Sequence, residues 1–473
     1  MKKIKLFNIL MLLLSLNACS FFKEIDTKVF KDYEIPEKYT IKDANKKPEF
    51  FFEGIQAFND SELNNLIHRA IKNNLTLEGT RAQFMQAKAQ ASLVGAAQYP
   101  HLNVNFEPSI SKKRSVDTGT QSWKSNFSLG MMSSFEIDFW GKIRAQKKSA
   151  QYALTAAELD YQTAMISTIS EICLCWIDIL SQRMQQELLQ KQLATNRMYL
   201  KLIRLRFQKG MVASLDLYQQ QQVMASIMSQ ISLIQAQECL RYNQMAILCG
   251  MPPQTKLKIT RNQFPLLKHS PSTGVPSDLL TNRPDIRASW NRLQASYQNV
   301  WISKANQLPS LTLSVTGTLG SEKISNLMDA WLISLAGQLA TPIFDAGRLR
   351  AETQKTKAKA YEQMLQYRNT VFNAIKEVED ALIQTQQQKM HIQALQEEHN
   401  IAQKALDEAR NRYQKGLNDY LPVLTHILTV QRLDRELIQQ RAKYFQYFIY
   451  LYRALGGKLP SSMYASKTGG FNE

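Results

Sequence analysis

Two proline-free runs, from Gly141 to about Gln208 and from Gly347 to about Gln414, limit what this chain can fold into more than any other feature. Helix formers dominate both. At about 1.5 Å per residue each run makes roughly 100 Å of helix, which no compact globular domain needs. Such helices belong to a rod, a coiled coil or a tunnel. Their apolar positions fall on more than one face and glutamine is abundant. That pattern suits lateral packing against neighbours on both sides better than a two-stranded coil.

The runs are copies. Arg206-Phe207-Gln208-Lys209-Gly210 returns as Arg412-Tyr413-Gln414-Lys415-Gly416, and the junction EIDFWGKIRA ending at Ala145 returns as TPIFDAGRLRA ending at Ala351. An interval of about 200 residues is far longer than a solenoid repeat, so the chain reads as a duplicated half-molecule. Each long run ends at Lys-Gly, where glycine can take a left-handed cap. A helix is expected from Asp60 or Ser61 to about Ala97, and shorter helices at about 215–248 and 422–454, ending at Cys249-Gly250 and Gly456-Gly457.

Each half also carries two strands. Leu102, Val104 and Phe106 alternate with Asn103, Asn105 and Glu107. A second run places Trp123, Phe127, Leu129, Met131, Phe135, Ile137 and Phe139 at odd positions. The second half repeats the design with Leu311, Leu313, Val315 and Leu319 against Thr312, Ser314, Thr316 and Thr318, followed by Trp331, Ile333, Leu335 and Leu339. Period-two alternation predicts half-buried strands. If the apolar face meets lipid, open edges would strand backbone groups in hydrocarbon, so the sheet must close. Four strands cannot close a barrel, and several chains must share one.

The N-terminus has Lys2, Lys3 and Lys5, an apolar run from Leu6 to Leu16, and Asn17-Ala18 before Cys19. This reads as an export signal too short to be a permanent membrane helix. With the cysteine at the cleavage point it resembles a bacterial lipoprotein signal, in which Cys19 would be the lipidated first residue; an ordinary signal beside a chance cysteine is the other reading. Ser20 then agrees with outer-membrane sorting. The remaining cysteines, Cys173, Cys175, Cys239 and Cys249, are too few for a disulfide framework. Cys173 and Cys175 read as small buried hydrophobes.

The net charge of +18 could suit nucleic acid or an anionic membrane. The export signal, the dispersed lysines and arginines and the absence of any zinc-finger or RNA-binding signature exclude nucleic acid as the partner. Six histidines show no metal or triad spacing. Met131-Met132 and Met224 with Met228 raise metal efflux, with core filling as the plainer reading. Glu377, Glu379 and Asp380 spread around a helix and read as solvated or packing residues, not as catalytic carboxylates. Nothing calls for a cofactor, and the expected class is not an enzyme.

The Gly141-Lys142 and Gly347-Arg348 junctions, the two turns at Gly210 and Gly416, NRPDIRAS at 282–289, LPSLTLS at 308–314 and KEVEDAL at 376–382 together resemble the TolC family of outer-membrane efflux channels, in its lipoprotein branch. The chain departs from relatives at Ser289, Trp290 and Asn291. The resemblance implies a mostly α chain with a membrane β-barrel portion: a homotrimer sharing a twelve-stranded barrel, four strands per chain, continued by a long periplasmic helical tunnel. The organisation it suggests is a signal peptide at 1–18, a lipid-anchored extended segment at 19–60, a first repeat at 61–250, a linker at 251–283, a second repeat at 284–457 and a tail at 458–473.

It also implies a function and partners: an exit channel in the outer-membrane lipid, working with a periplasmic adaptor protein and an inner-membrane transporter. Multidrug or small-molecule efflux, metal-ion efflux and type I protein secretion remain open within the family, and a lipid-anchored scaffold without a pore remains open outside it. The turn tips, Lys209, Gly210 and Met211 with Lys415, Gly416 and Leu417, would meet the adaptor. Alignment on the turns matches Asp216 and Tyr413 to a hydrogen-bonded pair that holds the tunnel shut, while Asp216 could equally serve the start of its own helix. Asp419 could add to an acidic ring. Pro422 and Thr425 stand where some relatives carry acids.

Overall fold

A computed structural model describes residues 36, 38–40, 58, 60–114, 121–266, 276 and 278–457. The signal segment at 1–18, Cys19 and the tail at 458–473 lie outside the described residues. The elements in order are α1 (Ser61–Asn73), α2 (Leu75–Ala96), β1 (His101–Arg114), β2 (Gln121–Ile137), α3 (Lys142–Gln208), α4 (Ser214–Leu248), α5 (Asp278–Asn282), α6 (Pro284–Ala305), β3 (Ser310–Ser321), β4 (Trp331–Ala340), α7 (Arg348–Gln414) and α8 (Tyr420–Ala454). A 3₁₀ turn at Ile324–Asn326 lies between β3 and β4.

The duplication is metrical. α3 and α7 are both 67 residues long, and α4 and α8 are both 35. Gly141, Gly210 and Gly250 have positive φ, and so do their counterparts Gly347, Gly416 and Gly456. All four helix ends close alike: Gly210 N–H donates to Phe207 O and Met211 N–H to Arg206 O, with the same pair of bonds at Gly250, Gly416 and Gly456. Only a left-handed residue lets the two amides turn back onto the last carbonyls, which is why glycine occupies each position.

Two compact units result. The first contains Gln86–Ala156 and Ser289–Asn369. It holds the four-stranded antiparallel sheet, ordered β1-β2-β3-β4, and the helix segments that enter and leave it. These segments follow the strand order: Ser149 Oγ of α3 donates to Ala295 O of α6, and Ser303 Oγ of α6 lies 2.8 Å from Thr356 Oγ1 of α7.

The second unit contains Ala157–Ala288 and Thr370–Gly457, together with the described residues of 36–85. Its largest core joins Leu63, Ile67 and Ala70 of α1 to Ile172, Trp176 and Leu180 of α3, Met245 of α4 and Phe445 and Phe448 of α8. Among the described residues one helix is apolar enough by composition to cross a membrane, and this core accounts for it: 67% of that window of α3 is buried inside the fold. Cys173 and Cys175 are free buried thiols in this core, and burial pushes both up to about 12.

Three expectations change. The helical run expected over about 61–97 is broken at Asn74, whose N–H ends α1 on Ala70 O while its Oδ1 accepts from Leu77 N and starts α2. One asparagine at 6% exposure serves both ends, and its Nδ2 also donates to Leu248 O of α4. The segment expected as an extended lead is tucked in where it is described: Tyr39 and Phe58 are each 3% exposed. Where it is described, the expected linker is fastened to α1 and the residue that caps it. It includes α5, Thr260 donates to Glu62, and Arg261 pairs with Asp60 at 3.0 Å.

Candidate functional site

Registering the four strands puts every apolar run on one face. Val104 pairs with Met131, Phe106 with Leu129, Phe135 with Leu313, and Val315 with both Ser133 and Leu335. The opposite face carries Asn103, Asn105, Asn126, Ser128, Thr312, Ser314, Thr316 and Ser334. Met131 and Met132 therefore point to opposite faces. The apolar face is uncovered in the single chain: Val104, Trp331, Ile333, Leu335 and Leu339 are 58%, 71%, 66%, 74% and 70% exposed. β1 and β4 are the two free edges of the sheet. A long, exposed, apolar sheet with open edges is an association surface in water and untenable in hydrocarbon until its backbone groups are paired.

The strand-to-helix junctions are built from aspartates. Asp138 accepts from the backbone N–H groups of Ile143 and Arg144, at 2.9 Å each, and from Arg144 Nε at 3.1 Å. Asp345 accepts from Leu349 N–H at 2.8 Å and Gly347 N–H at 3.0 Å. A carboxylate at a helix start satisfies amides the helix cannot. Burial pushes the Asp138 carboxyl up, but these donors more than offset it and hold it below its ordinary range. Trp140 Nε1 donates to Pro309 O, and Trp301 Nε1 to Trp140 O, which ties the first junction to the start of β3. Ala346 is the one non-glycine with positive φ among the described residues, at 52°.

The glycine turns lie in the second unit, and here the pair expected from the sequence is not formed. The Tyr413 hydroxyl is buried without a hydrogen-bond partner. Its ring lies under the Arg206 guanidinium at 4.4 Å and against Tyr420 at 5.7 Å. Asp216 is in the first turn of α4, where an acid complements the helix N-terminus. Asp419 is the N-cap residue of α8 but makes no side-chain capping bond. Lys209, Gly210, Met211, Lys415, Gly416 and Leu417 are all exposed at the two turns.

What joins the helices here is a buried polar chain that sequence reading missed. Tyr420 Oη donates to Gln220 Oε1 at 2.8 Å. Gln220 Nε2 donates to Asn196 Oδ1 at 2.9 Å, and Asn196 Nδ2 to Gln192 O at 2.8 Å. Gln192 reaches Gln431 O and receives Arg435 Nη1 at 2.9 Å. Asn196 and Gln220 are fully buried, so each missing bond would cost the desolvation of an amide. The available signal was a glutamine or asparagine recurring inside an otherwise apolar stripe.

Elsewhere the flagged acids have ordinary partners. Glu377 pairs with Arg283 at 2.8 Å, Asp380 with Lys376 at 3.1 Å, and Glu379 accepts from Thr40. Arg283, from the NRPDIRAS motif, also pairs with Asp285 and donates to Ala454 O, joining α6, α7 and the end of α8. At the departure from relatives, Trp290 packs on Tyr367 with ring centroids 5.3 Å apart. Among the described residues no cluster of three or more His, Cys, Asp or Glu could hold a metal ion.

The profile of the outer membrane efflux protein family matches residues 66–250 and 275–457. The pyoverdine export outer membrane protein OpmQ of Pseudomonas aeruginosa is 32% identical over 413 residues, covering 85% of this chain and 86% of that protein. The cation efflux system protein CusC of Escherichia coli K12 is 27% identical over 402 residues, covering 85% of this chain and 87% of that one. Among solved structures, the outer-membrane channel OprN superimposes with a TM-score of 0.84 at 24% identity, over 90% of this chain and 98% of that one, and so shares the fold.

Proposed function

The chain belongs to the outer membrane efflux protein family, and from that premise we propose that three copies close one twelve-stranded barrel, four strands from each, as the exit of a tripartite pump. The chain is an outer-membrane efflux channel, and its work is conduction rather than bond chemistry. The single observation carrying the trimer is the sheet, whose apolar face is exposed and whose edges β1 and β4 are unpaired in one copy. Closure between copies turns the apolar face to lipid and the amide and hydroxyl face to the lumen. A pore-free scaffold would leave that apolar face in water.

The cargo reading that fits best is a polar small molecule. The lumen face offers hydroxyls and amides, with Met132 the only soft donor on the polar side of β2, which gives soft metal ions little to bind. Pyoverdine export and cation efflux, the roles of the relatives named above, stand as the two precedents. Cargo would arrive through the tip formed by Lys209, Gly210, Met211, Lys415, Gly416 and Leu417, docked to an adaptor and powered by an inner-membrane transporter. Cys19 would carry the lipid anchor. Asp216, Tyr413 and Asp419 remain candidates for the constriction.

The deciding experiment is the native mass of the particle extracted in mild detergent, followed by single-channel recording in planar bilayers. Three chains per particle with discrete conductance is the expected result. A one-chain particle without conductance would move the scaffold reading to the front.

A further inference from the structure

β4 loses its last β3 partner at Ala340, yet the chain continues as Thr341-Pro342-Ile343-Phe344 before Asp345 caps α7. Ile343 and Phe344 are 94% and 90% exposed, the most exposed large hydrophobic side chains among the described residues. Two adjacent apolar side chains in water, next to the aspartate that caps α7, call for a cover.

They lie on the free β4 side of the first unit, the side shared by α7 with Tyr361 exposed at 60%. The other free side, β1, is led into by the end of α2 and the turn after it, where Leu93 and Tyr99 are 67% and 71% exposed. Both sides thus end in uncovered apolar groups at the base of the sheet, where β1 begins and β4 ends.

We propose that Ile343 and Phe344 pack against Leu93 and Tyr99 of the next copy, making an apolar seam beneath the barrel. The inference rests on the shared-barrel reading. It commits to a second copy because the seam continues the edge that closure must pair, β4 to β1, and because each side supplies apolar groups to the other. Lipid contact, the competing occupant, would leave Tyr99 and Leu93 unmatched at that same edge.

The test uses the full chain in its own membranes, in a Cys239→Ser background so that the exposed native thiol is absent. Tyr99→Cys and Phe344→Cys are combined and treated with oxidant, then with short bis-maleimides of increasing span. Within one chain the two sites stand three strands apart, about 14 Å, beyond the roughly 7 Å a disulfide allows, so an oxidised product joins copies. The expected result is a ladder of two- and three-chain species on a non-reducing gel. A three-chain native mass with no ladder at any span overturns the seam and leaves the channel standing. A one-chain native mass overturns both. Independently, Phe344→Ala should lower the temperature at which the three-chain particle dissociates in detergent, and an unchanged temperature counts against the seam.

Discussion

Gly250 shows how much one residue can carry. Its φ is +70°, and a Cβ there would lie 2.1 Å from Asn73 O, so α4 ends in direct backbone contact with the end of α1. Gly250→Ala should destabilise the chain by at least about 1 kcal/mol through φ alone, with the clash added, and a lowered midpoint in denaturant would register it. Asp138 sets a pH dependence. Its folded pKa is depressed, so its contribution is present above the ordinary carboxylate range and is lost as pH falls through the folded value. Asp138→Asn should lower stability at neutral pH and flatten that acid limb in pH-resolved melts. The left-handed glycines were legible because position and chemistry coincide at a helix end. The double role of Asn74 was not, since nothing in a uniform helical pattern says that one asparagine is buried against another helix.

At the scale of elements, the long helices were legible almost to the residue, because an absence of proline and a terminal glycine are local signals. The contacts between them were not. A hydrogen bond from Tyr420 to Gln220 spans 200 residues of sequence, and periodicity gives no register between distant helices. The Asp216 to Tyr413 bond came from aligning turns, but burial of the Tyr413 ring beneath Arg206 takes its hydroxyl out of reach of a partner. Conductance of the isolated channel tests which contact holds α4 against α8. Tyr420→Phe, which deletes a buried bond worth about 1 kcal/mol and leaves Gln220 short of a donor, should raise it. Asp216→Ala, which removes no bond to Tyr413, should raise it less.

At the scale of the whole molecule, the sheet separates two kinds of substitution on a single strand. Leu313→Arg places a charge on the apolar face at a cost of about 2–4 kcal/mol near mid-membrane and should reduce the yield of assembled particle. Thr316→Arg, on the polar face, should leave assembly intact and shift ion selectivity toward anions, as read from reversal potentials in a salt gradient. The need for closure was legible from alternation alone, since four strands with an apolar face cannot stand in lipid. What the proposed seam would place on each free side was not, because a second copy would leave no trace in the sequence of one chain beyond apolar groups without local company.

The equal spacing of the left-handed glycines carries a further consequence. The two halves behave as rulers cut to the same length, and their facing stripes agree only while both keep that length. One residue inserted into α3 alone would advance everything beyond it by about 1.5 Å and rotate it by about 100° against its twin. A heptad added on the side of the glycine turns to α3, α4, α7 and α8 together would nearly restore every facing stripe. A chain of this design can therefore be lengthened or shortened only in matched steps, which offers a direct way to change its reach without redesigning its walls.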